Sequence, residues 1–155
     1  MRYLLLLCTC LVVLSCQKEA IQHDNDIQLI KDYLAANSIT ALEDKESNLF
    51  YNIYEKDTNS TIAPLRDNSI IVEVKYTAYL LDGTIVHDTN GLSTKEPLDE
   101  SIYGWQLALP KMTINEKMLF FLPSRLAYGE EGRDNVPPNS VLVFDLELIE
   151  IFPHF

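Results

Sequence analysis

Over residues 70–81 apolar and polar side chains alternate with a period of two. Val72, Val74, Tyr76, Ala78 and Leu80 fall on one face, and Glu73, Lys75 and Thr77 on the other. Only an extended strand with one face buried sorts its side chains this way. Asp82-Gly83 follows at once and leads into a second strand-like run, a pairing typical of a tight hairpin turn. The chain must therefore double back on itself, and the sheet it enters is antiparallel at this point.

The remaining segments fit that start. Residues 49–54 and 118–122 read as strands, the second closed by Pro123. In residues 141–151, Leu142, Phe144, Leu146 and Leu148 lie opposite Asp145 and Glu147. Residues 105–109 form a short helical piece that Pro110 cannot continue. Upstream, Ile27, Ile30, Tyr33 and Leu34 recur at helical spacing. This predicts a helix over 27–36, with Asp26 as its N-cap and Asn37-Ser38 as its end. Residues 17–26 carry no apolar period and read as a tether; residues 57–60 form a turn cluster. Several antiparallel strands with little helix make an α+β domain. At 155 residues and 47% hydrophobic content, the chain can bury one core of ordinary size.

The first sixteen residues, MRYLLLLCTCLVVLSC, stand apart. A single positive charge at Arg2 precedes a short apolar run and a small residue, the layout of an export signal. The run falls short of the ~20 apolar residues a membrane-spanning helix needs. Its end, Val13-Leu14-Ser15-Cys16, resembles the bacterial lipobox, in which cleavage precedes a Cys that is then lipidated. That resemblance implies a mature chain anchored to the outer membrane through acyl groups on Cys16, facing the periplasm or the cell surface. Gln17-Lys18-Glu19 resembles the short tag that directs some Bacteroidetes lipoproteins to the cell surface. Residues 1–15 are then a signal peptide, 16–48 a lipid-anchored tether with a short helix, and 49–155 the folded domain. All three cysteines (Cys8, Cys10 and Cys16) lie in the export segment. The folded part therefore has no thiol for a disulfide, a metal or a nucleophile.

Charge narrows the function further. With 12 Lys+Arg against 23 Asp+Glu the formal net charge is −11, which disfavours binding to phosphate backbones. Nucleic acid is not an expected partner. The chain carries no nucleophile elbow, phosphate loop or dinucleotide fingerprint. The three His residues (His23, His87 and His154) lack metal-ligand spacing, and neither metal nor cofactor is expected. An enzyme built from these residues would have to work without proton transfer or metals. Rotation about an X–Pro bond is such a reaction. Its barrier of about 18–20 kcal/mol is amide resonance, and uncatalysed it takes tens of seconds or more. The twisted transition state has lost conjugation and much of its dipole. A dry, apolar pocket therefore favours it over the planar ground state.

Four blocks of sequence carry a resemblance to one family. Residues 74–83 (VKYTAYLLDG) are similar to the strand and turn of FKBP-type peptidyl-prolyl isomerases, usually V-x-Y-x-G-x-L-x-D-G. Ile102-Tyr103-Gly104-Trp105 matches the family's I-x-G-W, and Ala127-Tyr128-Gly129 its A-Y-G. Residues 136–148 (VPPNSVLVFDLEL) follow its I-P-P-N-x-x-L-x-F-x-V-E-L. The resemblance implies a twisted antiparallel sheet wrapped around one short helix, and an enzyme that isomerises X–Pro bonds in proline-containing polypeptides. It places Trp105 on the pocket floor, Tyr76 and Phe144 as aromatic walls and Val136 as an aliphatic wall. The Ile102 N–H and the Tyr128 hydroxyl would hold ligand carbonyls. From the residues alone, Trp105, Tyr76 and Phe144 read as core aromatics; the resemblance makes them pocket residues as well.

Departures from the family pattern cluster near the pocket. Where Phe-Asp is usual, the chain has Val86-His87, with Asp88 one place later. Val86 narrows the wall. The usual Asp is either replaced by His87 or supplied by Asp88 through a bulge, and His87 itself is either a solvated turn residue or a pocket-facing one. Residues 90–99 are short and lack the further Phe, Ser101 stands where Val is common, and the 130–135 loop is shortened. Arg125, Arg133 and Asp134 read as loop solvation. The alternative to an isomerase is a non-catalytic module of the same fold, acting as a chaperone or an accessory subunit of an envelope complex.

Overall fold

The computed structural model describes residues 2–55 and 70–153, with side chains from 17 onward; the expected turn at 57–60 lies outside the described residues. An α-helix, α1 (Arg2–Ala36), comes first. Strands β1 (Leu42–Glu43) and β2 (Phe50–Glu55) follow. Next come β3 (Ile70–Leu80), β4 (Ile85–Asp88), β5 (Thr94–Pro97) and the short helix α2 (Tyr103–Ala108). β6 (Lys117–Leu122) and β7 (Leu142–Pro153) complete the fold. The seven strands form one sheet ordered β1-β2-β6-β7-β3-β4, with β5 also paired to β3, and every pairing is antiparallel.

The long central pair decides the architecture. β3 runs against β7 from Ile70↔Pro153 to Leu80↔Leu142. The period-two patterns of the two strands therefore put Val72, Val74 and Ala78 on the same face as Phe144, Leu146 and Leu148. Met118, Phe120 and Leu122 of β6 extend this face, and Trp105, Ala108 and Leu109 close over it from α2 and the turn after it. Gly104 lets α2 come this near: a Cβ there would run into the Leu122 side chain.

The outer face of the sheet is covered as well. Ile30 and Leu34 of α1 pack with Phe50, Phe121, Val141 and Val143, and the Tyr33 ring lies 5.8 Å from that of Phe121. The sheet is thus sandwiched between α1 and α2. The helix ends where expected: Asn37 Nδ2 donates to the Tyr33 carbonyl at 2.8 Å, and Ser38 turns to φ +54°.

Two expectations are corrected here. Residues 17–26 are helical rather than a tether, and Asp26 is an interior helix residue rather than an N-cap. Gln, Lys, Glu and Ala in this stretch are good helix formers. What holds the stretch is polar and leaves no apolar period to read. Lys18 pairs with Glu130 at 3.0 Å, Gln22 donates to Asp26 at 2.7 Å, and His23 Nε2 lies 3.0 Å from Asn48 Oδ1. β1 and β5 were not expected. β5 reads Thr-Lys-Glu-Pro, without apolar alternation and with a proline that only a sheet edge tolerates.

The loop after β1 is tied to the turn that follows α2 by Asp44, whose Oδ2 accepts from Lys111 Nζ at 2.5 Å; the same ammonium lies 5.3 Å from the Tyr51 ring centroid. That Lys111 hydrogen bond holds the Asp44 carboxyl below its usual range, with help from the Glu46 and Ser47 amides. A carboxyl depressed by folding stabilises the fold above the ordinary Asp range and ceases to do so as pH falls through its lowered value. Asp44→Asn should therefore cost about 1 kcal/mol at pH 7, and the gap from wild type should close well below about pH 4. Urea unfolding at a series of pH values measures this. Equal stability of the two proteins at pH 7 would contradict it.

Candidate active site

Between β3, β7 and α2 the sheet opens into a cavity of about 400 Å³. Trp105 is 4% exposed. Its ring meets Tyr76 edge-on at 4.9 Å and 84°, and Phe144 edge-on at 5.7 Å and 79°. Phe144 in turn stacks on Phe120 at 5.1 Å and 10°. Edge-to-face pairs are worth about 0.5–1.5 kcal/mol each beyond their burial, so these rings fix one another. The indole Nε1 is buried with no hydrogen-bond partner among the described residues.

Each ring is held by local structure. Trp105 follows the Gly104 contact point, and its backbone N–H donates to the Ile102 carbonyl at 2.9 Å. Ile102 caps α2 at φ −55°, ψ 148° and lines the cavity. The loop leading into it is stapled by side chains. Ser101 Oγ donates to the Pro97 carbonyl at 2.9 Å, and Gln106 Nε2 donates to the Ser101 carbonyl at 2.9 Å. Tyr76 is pinned through its backbone: its N–H donates to Thr89 Oγ1 at 3.2 Å and its carbonyl accepts from the Thr89 N–H at 3.0 Å. Burial, with lesser contributions from Glu96 and Tyr128, pushes the Tyr76 hydroxyl up to about 12. It therefore stays a neutral donor throughout the physiological range.

Tyr128 borders the cavity from the opposite loop. Its carbonyl accepts from the Gly132 N–H at 3.1 Å, and the Arg133 guanidinium lies 5.7 Å from its ring centroid. Gly132 has φ +67°, and a Cβ there would lie 2.5 Å from the Val136 carbonyl oxygen. Glycine is therefore required for the loop to close on itself, as it does through paired Arg133–Val136 backbone bonds. A smaller lobe of about 120 Å³ continues the cavity between Val86, Ala78, Val136 and Leu142.

The structure thus brings together Tyr76, Ile102, Trp105, Tyr128 and Phe144, with Val86 and Val136 around the smaller lobe. It also decides between the two readings of residues 86–88. Ala78 pairs with His87 and Tyr79 with Ile85, so Val86 is the extra residue of a bulge. His87 takes the wall, its imidazole stacked on Tyr76 at 5.0 Å and 20°, although the residue is exposed. Asp88, expected at the pocket, is not there. It pairs with Thr77, and its Oδ1 accepts from the Asn90 N–H at 2.7 Å, shaping the next turn. A bulge shifts the alternation by one residue, which sends Asp88 elsewhere.

Arg133 and Asp134, expected as loop solvation, lie on the cavity rim with Glu96 and Glu100. Sequence reasoning missed Glu96 because β5 has no strand signature, and Glu100 because it sits in the short 3₁₀ turn Leu98–Glu100 that links β5 to α2. The rim is therefore largely acidic around an aromatic floor.

Comparison with known proteins converges on the same geometry. Residues 65–149 match the family model of FKBP-type peptidyl-prolyl cis-trans isomerases. The chain belongs to that family. It is 40% identical over 124 residues to an FKBP-type isomerase, FkpA, of Aeromonas hydrophila, an alignment covering 78% of this chain and 45% of that one. To the 22 kDa FKBP-type isomerase of Escherichia coli it is 41% identical over 83 residues, covering 52% of this chain and 40% of that one. The chain thus spans less than half the length of these two relatives. Among solved structures it is similar to FkpA of Escherichia coli, with a TM-score of 0.71, 26% identity and coverage of 99% of this chain and 72% of that one. An isomerase from Pseudomonas syringae gives a TM-score of 0.68 at 28% identity, covering 84% of this chain and 96% of that one.

Proposed function

We propose that this FKBP-family chain is a peptidyl-prolyl cis-trans isomerase acting on X–Pro bonds of exported polypeptides. The observation that carries the reading is the Trp105 floor, set edge-on between Tyr76 and Phe144 in a cavity of about 400 Å³. A proline ring laid on the indole, flanked by the two aromatic walls, brings its preceding amide into a dry recess. There the planar amide loses favourable hydration of its dipole, while the twisted one, with little dipole, loses less. The difference lowers the barrier, at tenfold in rate for about each 1.4 kcal/mol. The Ile102 N–H and the Tyr128 hydroxyl are the groups suited to hold the flanking carbonyls. No proton need move and no covalent intermediate forms.

The export segment supports a second part of the proposal: the mature chain is lipidated at Cys16 and held at the outer membrane, where newly exported clients fold. The short apolar run and the Val-Leu-Ser-Cys sequence are what support it.

Two experiments test this. In a protease-coupled assay on X–Pro tetrapeptides, the chain should accelerate isomerisation. Trp105→Leu, which keeps the floor apolar while removing the indole, should lower kcat/KM at least about tenfold, a loss of about 1.4 kcal/mol of transition-state stabilisation. Turnover at the uncatalysed rate, or an unaffected variant, would contradict the isomerase. For the anchor, growth of an expressing bacterium with labelled palmitate should label the chain in the membrane fraction, and Cys16→Ser should abolish that label. An unlabelled wild-type chain would contradict lipidation.

A further inference from the structure

Asp26 is fully buried on α1, outside the family-matched segment. Its Oδ2 accepts two hydrogen bonds from one residue, Ser124, at 2.8 Å from the N–H and 2.6 Å from Oγ. Its Oδ1 accepts from Gln22 Nε2 at 2.7 Å. A carboxylate buried away from water is costly unless its lone pairs are engaged, and here three donors engage them. Charge-assisted bonds of this kind are the stronger class, and breaking them would leave buried donors on Ser124 unsatisfied.

Ser124 is the residue around which the Tyr128 segment is folded. It is 3% exposed and opens the 3₁₀ turn Ser124–Leu126. Its carbonyl accepts from the N–H groups of both Ala127 and Gly129, each at 2.9 Å. These two amides bracket Tyr128, whose side chain lines the cavity. A continuous line of hydrogen bonds thus runs from the helix, through Ser124, to both neighbours of a residue placed to hold a substrate carbonyl. α1 also crosses to this loop at Lys18–Glu130, but that pair is exposed and such pairs contribute little.

We infer that Asp26 is a positioning residue: by fixing Ser124 it sets where the Tyr128 hydroxyl stands, so α1 tunes the site it lies behind. The inference rests on the isomerase reading for its kinetic test. Geometry transmitted this way matters, because a displacement of about 1 Å far from the chemistry can cost up to a hundredfold in rate. A single oxygen of Asp26 takes both Ser124 bonds, so Asn can replace it, its carbonyl oxygen toward Ser124 and its amide donating to Gln22 once that side-chain amide flips, whereas Ala cannot.

The test is a double-mutant cycle on the full chain, with kcat/KM for an X–Pro peptide and thermal unfolding measured side by side. Asp26→Ala should lower kcat/KM about tenfold, and Asp26→Asn should restore most of it. In a Tyr128→Phe background, which lacks the hydroxyl, Asp26→Ala should cost no further activity while still lowering Tm. A merely structural Asp26 would lower Tm equally in both backgrounds and leave the two activity losses additive, and that result would overturn the inference. If Asp26→Ala does not fold, Ser124→Ala carries the same comparison. A wild-type chain without turnover would sink the isomerase reading instead. The clamp is then read from hydrogen exchange at the Gly129 amide, which Asp26→Ala should deprotect and Asp26→Asn should not; unchanged protection in Asp26→Ala would overturn it.

Discussion

The contact on which the rest of this molecule depends is the Trp105 indole pressed edge-on against Tyr76 and Phe144. The two rings come from β3 and β7, the longest strand pair of the sheet, and the indole comes from α2, which approaches only because residue 104 has no side chain. The same rings therefore close the inner core and floor the cavity. A change that loosens the floor therefore also loosens the fold.

That rim is where this chain has its own character. The bulge at Val86 moves His87 onto Tyr76 and turns Asp88 away, while β5 contributes Glu96 and the approach to α2 contributes Glu100. On the isomerase proposal the aromatic floor takes the proline, and an acidic rim with one imidazole and one guanidinium faces whatever flanks it. On the other side of the sheet α1 covers what would otherwise be an open apolar face, reaching the Tyr128 segment through a buried carboxylate.

What could be read in the sequence was whatever repeats along the chain. The alternation of β3 and β7, the Asp82-Gly83 turn, the short α2 and the apolar half of α1 all declare themselves through period or punctuation, and the structure has them. The floor and walls were legible too, through four blocks resembling one family. The remainder depends on partners distant in sequence. Asp26 looks like a helix cap until Ser124, 98 residues away, is seen to occupy it. Residues 17–26 look like a tether because polar contacts leave no apolar stripe. β5 looks like loop because an edge strand needs backbone partners rather than side chains. Whether His87 or Asp88 faced the pocket hung on a one-residue bulge, and a bulge is set by strand pairing rather than by local composition.

On the isomerase proposal the recess turns a prolyl amide with no bond made or broken. Proton NMR exchange spectroscopy of an Ala-Pro peptide, with the protein present at a small fraction of the peptide concentration, tests it most directly. An isomerase gives exchange cross-peaks between cis and trans resonances on a sub-second timescale, against the tens of seconds or more of the free peptide, with the cis:trans ratio unchanged. Separate cis and trans signals that show no exchange in the presence of the folded protein would contradict it.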